Sequence, residues 1–466
     1  MAEGHPGLGE AAPGDHLQTG YQLWLVGHQL EHGRAPWRDP YSFRPEAEQR
    51  VNFPGWPFGL AYWPLWRVLG HVVAWNAFVL LGFLGAGGFT ALWLRELGLP
   101  RSAALVGGLA FSLAPYLQAH ASAGHLLAWA AMLLPLALFA FERGFRRSSW
   151  WLGLAAASLV SIPLSGQLHL ALGAIPFFCL YALARRRALA VAAGSALAAV
   201  GAGLLVYVVS IRGSSGESRS FSQVEHYSAD AADFVARDPR HGLESIVFLG
   251  WAAPLVALAG LAVLFARRRW GLALAFGLGA LVPMLFALGA NLPVYEVLWR
   301  HLPGLRHTRV PERLMPIACL ALAALFAVAV SRLRWPGTAA LAALLLVVDL
   351  HVGLFHPTAA DEHNRAYAAL RRAPPGGVLE LPIFRPGRQE GSVYLYYTMQ
   401  APREHPAGYS TTAPREADAE LRELRRAPCH RLAVLGVRYL TVHRQSNPCG
   451  GRLLARDGPI SLYRVG

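Results

Sequence analysis

The stretch HVVAWNAFVLLGFLGAGGFTALWLRELGLPR (71–101) runs from His71 to Leu94 without an acid or an arginine and then closes on Arg95, Glu96 and Arg101. A helix needs roughly 20 apolar residues to cross a bilayer, so the run predicts a membrane span ending in a charged loop. The pattern recurs near 102–119, 126–142, 150–165, 168–184, 188–210, 246–266, 270–290, 315–331 and 337–355, which gives about ten expected spans. Composition agrees. Of 466 residues, 54% are hydrophobic and 15% are charged, whereas a soluble domain carries about 25% charged residues. The fold class expected is mainly α, a polytopic transmembrane helix bundle.

All 42 cationic side chains are arginine, and the net charge is +14. They sit in short clusters between apolar runs (Arg95 and Arg101, Arg146 and Arg147, Arg185 to Arg187, Arg267 to Arg269, Arg332 and Arg334), not on one polar domain, which argues against nucleic acid as a partner. The loops between these clusters are short and free of arginine, as in HASAGH (120–125), or long and mixed in charge, as at 211–245 and 291–314. Short arginine-rich loops stay in the cytoplasm. The alternation therefore predicts a multi-pass protein of a bacterial inner membrane, with residues 1–70 and the tail from about 356 outside. Residues 1–16 hold no apolar core of exporting length. That leads to the expectation of a first span upstream of Met1, the alternative being translocation by the helix that follows.

Three regions follow: a first extracytoplasmic loop with juxtamembrane helices (1–70), the membrane domain (71–355) and an extracytoplasmic α+β domain (356–466). In the last, GVLELPIF (377–384), RLAVLGVRYLTVHR (431–444) and ISLYRV (460–465) read as strands and DAELRELRRA (418–427) as a helix. Cys429 and Cys449 lie in a compartment where disulfides persist, and the sequence leaves their pairing open.

No Walker A, GxGxxG, HExxH, GxSxG or paired CxxC motif is present, so the chemistry must be sought in loops. GDHLQTGYQLWLVGHQLEHGRAPWRDPYSFRPEAEQRVNFPGWPFGLAYWP (14–64) gathers Asp15, His16 and Asp39 among aromatic rings. Asp15 reads as a catalytic base or as a helix cap. A second outer cluster, Arg306, Arg309 and Arg313 in LRHTRVPERL, reads as a phosphate fork or as a lipid-headgroup contact. His125 and His169 stand in adjacent outer loops. The loop at 211–245, with Glu225, Tyr227, Asp230 and Glu244, reads as a substrate cover or a solvated linker. The outer histidines are dispersed, with no spacing that suggests a metal site.

The order of GDH with YQLWL (14–25), NFPGWPFG (52–59), FSLAPYLQAHASAGHLLAWAAMLLPLAL (111–138), EHYSADAADFV (225–235), FLGWAAPLVALAGL (248–261), LPGLRHTRVPERL (302–314) and YLYYTMQAPREHPAGYS (394–410) resembles the GT-C glycosyltransferase superfamily, in particular YfhO-like bacterial membrane proteins. The resemblance spans nearly the whole chain. It implies a glycosyltransferase that takes its sugar from a polyprenyl-phosphate donor and passes it to a cell-envelope glycan, lipid or protein. It places the catalytic acid on Asp15, the donor phosphate on Arg309, Arg313 and Arg306, and the substrate lining on His16, Asp39, His125, His169, Glu225, Tyr227 and Asp230. Membrane lipids are the other expected partners. No cofactor is certain, and a divalent cation stays open. The chain shows one acid followed by His16 where many relatives carry an acidic pair.

Two rival readings belong to other classes. A transporter or flippase for lipid-linked saccharides predicts charged groups within spans, for which Asp349 and His351 are the main candidates. A non-catalytic envelope assembly protein would tolerate loss of Asp15.

Overall fold

The structure is a computed structural model that describes residues 2–3, 10–45, 50–214, 216–217, 219–238, 246–302, 304–333 and 335–465. Arg334 and Glu244 lie outside the described residues. The chain divides into two compact units, one of residues 1–78, 207–218 and 356–466, the other of 79–206 and 219–355.

The first unit is built on a four-stranded sheet in the order Gly377–Leu381, Val437–His443, Ile460–Arg464, Arg452–Asp457. The first pair is parallel and the other two are antiparallel. Leu379 lies opposite Leu440, and Thr441 opposite Leu462, so these buried side chains stack across the strands. The expected strand at 377–384 stops at Leu381 because Pro382 has no amide to donate to a ladder. The expected strand at 431–444 begins only at Val437. Helix Arg415–Arg426 buries Ala417, Leu421 and Leu424, spaced four and three residues apart, and turns its arginines outward. Asn364 caps helix Arg365–Arg372, its side chain accepting from the amides of Ala366 (3.0 Å) and Tyr367 (3.3 Å).

Helix Asp15–Glu31 belongs to the same unit. Leu17 and Phe43 share one apolar core with Tyr367, Leu379, Tyr397, Leu421 and Leu440. Backbone bonds join the two ends of the chain, from Phe43 N to Ala407 O (3.2 Å), Arg44 N to His405 O (2.9 Å) and His405 N to Tyr41 O (2.9 Å). Cys429 and Cys449 form a disulfide.

A helix occupies each of the ten apolar stretches. Among the described residues, six are long and apolar enough to cross a membrane: Gly59–Glu96, Leu127–Arg146, Leu168–Arg185, Leu189–Ile211, Trp270–Ala287 and Pro311–Val330. Arg101–Ser112 and Pro115–Ser122 pass that test only as a pair bent by 43°. Trp150–Leu164, Ala252–Ala266 and Thr338–Asp349 are apolar but shorter, at 15, 15 and 12 residues.

Two interior carboxylates of the second unit, Glu142 and Asp349, are enclosed by donors. Buried Glu142 accepts from Arg185 at 2.6 and 3.1 Å and from the Tyr181 hydroxyl at 2.6 Å. Trp93 Nε1 in turn donates to that hydroxyl (3.0 Å). Three donors thus satisfy a carboxylate that has no contact with water. Asp349 accepts from the amides of Trp251 (2.8 Å), Ala252 (3.0 Å) and Ala253 (2.9 Å), and so caps helix Ala252–Ala266 from another helix. Gly250 has φ +84°, and its missing side chain leaves the space the Asp349 carboxylate fills.

Candidate active site

Asp15 opens helix Asp15–Glu31, where a carboxylate is favoured by the amides of the first turn. Its Oδ1 accepts from the Tyr409 hydroxyl at 2.7 Å and from Gln389 Nε2 at 3.3 Å. Gly14 N donates to Ser392 Oγ (3.1 Å), and Gln18 Nε2 to Tyr409 O (2.8 Å). Three residues far along the chain thus fix the turn that presents the acid, while the carboxylate stays half-buried and partly open to solvent. His16 is buried beside it. Burial pushes the imidazole down to about 4, against the pull of the Asp15 charge, so it is neutral at pH 7.

Asp39 is used differently. It is buried and accepts from the Tyr21 hydroxyl (2.7 Å), Tyr41 N (3.0 Å), Ser42 N (3.3 Å) and Ser42 Oγ. Its donors all come from its own neighbourhood in the chain, and they fill its lone pairs.

The second unit holds the cationic cluster. Trp299 Nε1 donates to Thr308 O (3.0 Å), Thr308 Oγ1 donates to Leu305 O (2.7 Å), and the short turns Leu305–His307 and Pro311–Leu314 bracket the segment. These contacts leave Arg309 and Arg313 half-buried and Arg306 exposed. The Arg309 guanidinium lies over the Tyr227 ring, 5.3 Å from its centroid. Arg219 joins the group. Burial first, and then the Arg309 charge, hold it below the ordinary arginine range, with Tyr227 acting the other way. The His169 ring is hydrogen-bonded to the His307 backbone and lies within the field of Arg313, Arg219 and Arg309.

His120 and His125 meet Nδ1 to Nδ1 at 2.7 Å, so one ring donates and the other accepts, and Arg313 acts electrostatically on His120. One unit therefore brings His125, His169, Tyr227, Arg309 and Arg313 into a single electrostatic group, together with His120, His307 and Arg219. It leaves Arg306 and Glu225 exposed. Asp230 exchanges capping bonds with Asp233 and accepts from Asn291 Nδ2 (3.0 Å), a role in holding the loop. Sequence reading passes over Arg219, because a single arginine in a mixed loop carries no pattern. Tyr409 and Gln389 are nearly 400 residues from Asp15 and carry none either. Among the described residues no group of three or more His, Cys, Asp or Glu side chains is arranged to hold a metal ion.

What such a set can do is clear from its charges. Guanidinium forks hold phosphate oxygens through paired, charge-assisted bonds. A ring N–H of His169 can donate one further bond. Asp15, which belongs to the first unit, is by itself a carboxylate able to accept a proton.

Comparison with solved structures gives the fold. The chain matches ArnT from Cupriavidus metallidurans in the apo state with a TM-score of 0.54 at 14% identity, covering 98% of this chain and 94% of that one. The fold is GT-C-like. The oligosaccharyltransferase of Archaeoglobus fulgidus, tethered to an acceptor peptide with an NVT sequon, matches with a TM-score of 0.50 at 12% identity. That match covers 93% of this chain and 65% of the archaeal one, so the chain spans less than two thirds of the oligosaccharyltransferase. ArnT bound to undecaprenyl phosphate superposes less well, with a TM-score of 0.43. No family model matches the chain, and no curated protein matches it. At these identities the likeness is one of fold, and the residues must speak for the chemistry.

Proposed function

We propose that the chain is an inverting membrane glycosyltransferase that moves a sugar from a polyprenyl-phosphate donor to an envelope glycan, lipid or protein. The observation that supports this reading is the grouping of Arg219, Arg309, Arg313 and His169, a set of cations and donors suited to a phosphate, on a GT-C-like fold. In the proposed step Asp15 takes the proton of the acceptor hydroxyl. The hydroxyl oxygen attacks the anomeric carbon, the bond from that carbon to the phosphate oxygen breaks, and polyprenyl phosphate leaves with the electron pair. The arginines stabilise the charge that grows on the leaving phosphate. His125 and the loop from Glu225 to Asp230, with Tyr227, line the acceptor side.

In this reading the ten apolar stretches are all spans of a bacterial inner membrane. The three short helices tilt little or thin the bilayer locally, the arginine-rich ends face the cytoplasm, and residues 1–70 and 356–466 lie outside. The chain then stands with the YfhO-like branch. The test is sugar transfer in purified membranes from a panel of synthetic polyprenyl-phosphate sugars, for the wild type and its Asp15→Asn and Arg309→Gln variants. Loss of transfer with donor binding kept in the Asp15 variant, and loss of both in the Arg309 variant, is the expected result. Normal transfer by Asp15→Asn would remove the base, and an inactive wild type would move the flippase or assembly reading ahead.

A further inference from the structure

The arginines at the helix ends of the second unit fall into two kinds. Arg143 and Arg146 share Glu96 at 3.3 and 3.5 Å, and Arg185 is bonded twice to Glu142. Arg267, Arg268, Arg269 and Arg332 meet no carboxylate among the described residues and are exposed. They nevertheless stand together. Helices Ala252–Ala266 and Met315–Val330 approach so closely that Gly260 has no room for a Cβ beside Leu325 O and Ala329 N. Beyond this contact one helix ends at Ala266 and the other at Val330, so Arg267 and Arg332 follow neighbouring C-terminal ends. Arg332 is accordingly held below the ordinary arginine range, by the slight desolvation it meets at the helix end and by repulsion from Arg267 and Arg269.

Capping does not explain the group. The terminal carbonyls are already taken by the loop's own amides, from Arg267 N to Val263 O (3.1 Å), Arg268 N to Phe265 O (2.9 Å), Arg269 N to Leu264 O (2.9 Å) and Arg332 N to Ala329 O (3.0 Å). The four arginine side chains are not needed there and are exposed. Around them Trp270, Leu333 and Trp335 are also exposed. Indole rings at the end of an apolar helix favour the headgroup layer of a bilayer, which fixes the depth of the arginines beside them.

We infer that Arg267, Arg268, Arg269 and Arg332 form a binding site for the phosphate headgroup of an anionic phospholipid, with Trp270 and Trp335 against its glycerol and upper acyl region. The unpaired positive charge requires an anion, the flanking indoles place it at headgroup depth, and guanidinium forks fit its phosphate oxygens. The inference stands apart from the transferase reading, since it uses none of those residues.

The test is native mass spectrometry of the full-length, delipidated protein titrated with phosphatidylcholine, phosphatidylglycerol or cardiolipin. The variants are Arg267→Gln/Arg269→Gln/Arg332→Gln and a control of equal charge change, Arg371→Gln/Arg425→Gln/Arg426→Gln, on exposed helix faces of the first unit. The wild type and the control should hold the anionic lipids well above phosphatidylcholine, and the site variant should lose about fivefold in that affinity for each arginine removed. Equal loss in site variant and control would reduce the effect to net charge and overturn the site. So would equal retention of phosphatidylcholine and the anionic lipids by the wild type. Should the triple variant fail to fold, the exposed single change Arg332→Gln must still show about a fivefold loss, and an unchanged affinity there also overturns the site.

Discussion

Asp15 and Asp39 are the two acids of one short, aromatic-rich opening stretch, and the fold treats them in opposite ways. Asp39 is buried under four donors drawn from Tyr21, Tyr41 and Ser42, all close to it in sequence. Asp15 accepts from Tyr409 and Gln389, both from the far end of the chain, and is only half-buried. An acid saturated by local donors builds a turn. An acid held at a helix start by distant side chains and only half-buried can still exchange a proton with solvent or substrate. The same contrast separates Asp230, a loop cap, from the cationic group around Arg309.

The sharpest way to break the contrast is Asp15→Asn. Sugar transfer should fall about 10²- to 10⁴-fold, the range a general base contributes, while the thermal unfolding midpoint changes little. A comparable loss of stability would make Asp15 another Asp39. The mirror experiment is Asp39→Ala, which leaves the Tyr21 hydroxyl and the Tyr41 amide buried without their acceptor. It should cost about 3 kcal/mol of stability, read by denaturation in detergent, with transfer by the remaining folded protein close to normal.

Next is the effect of pH through His16. The folded imidazole titrates near 4, and the unfolded one near 6.5. Below about 6.5 the unfolded chain binds a proton that the folded chain refuses, so stability is fully present above that pH and declines as pH falls towards 4. The loss amounts to about 3 kcal/mol at most. His16→Leu should flatten that part of the stability profile, and an unchanged slope would show that the ring is hydrated and not buried. The smallest expected effect is that of Tyr409→Phe. Removing the Tyr409 hydroxyl that donates to Asp15 should lower transfer about fivefold, near 1 kcal/mol, and leave the midpoint of unfolding almost in place.

Much of the architecture was open to reading along the chain. Each apolar stretch bounded by arginines became a helix, because an apolar run in lipid must satisfy its own backbone bonds. The helix expected at 418–427 formed as Arg415–Arg426 because Ala417, Leu421 and Leu424 repeat at helical spacing. Helix length was less legible. Ala252–Ala266 and Thr338–Asp349 are shorter than the apolar stretches that hold them, and Pro115 starts a new helix where one run had been expected to continue. Of the site, Asp15, Arg309 and Arg313 stood out by chemistry, while Arg219 did not. Nor did any pattern show that Asp349 would cap another helix, where a charge near a span end had suggested a transport path.

The sequence by itself determined the class of the protein: hydropathy fixed the helices, arginine placement fixed the expected orientation, and alternation with turn residues fixed the small sheet. These are local quantities, set by each segment's contact with lipid or water. Only the tertiary structure decided which acid is buried under local donors and which is half-buried against distant ones, that Cys429 meets Cys449, that His120 meets His125, and that Arg219 stands with Arg309. Those outcomes depend on donors and charges separated by long stretches of chain, and their pairing is settled by which buried polar groups can be satisfied together when the core closes.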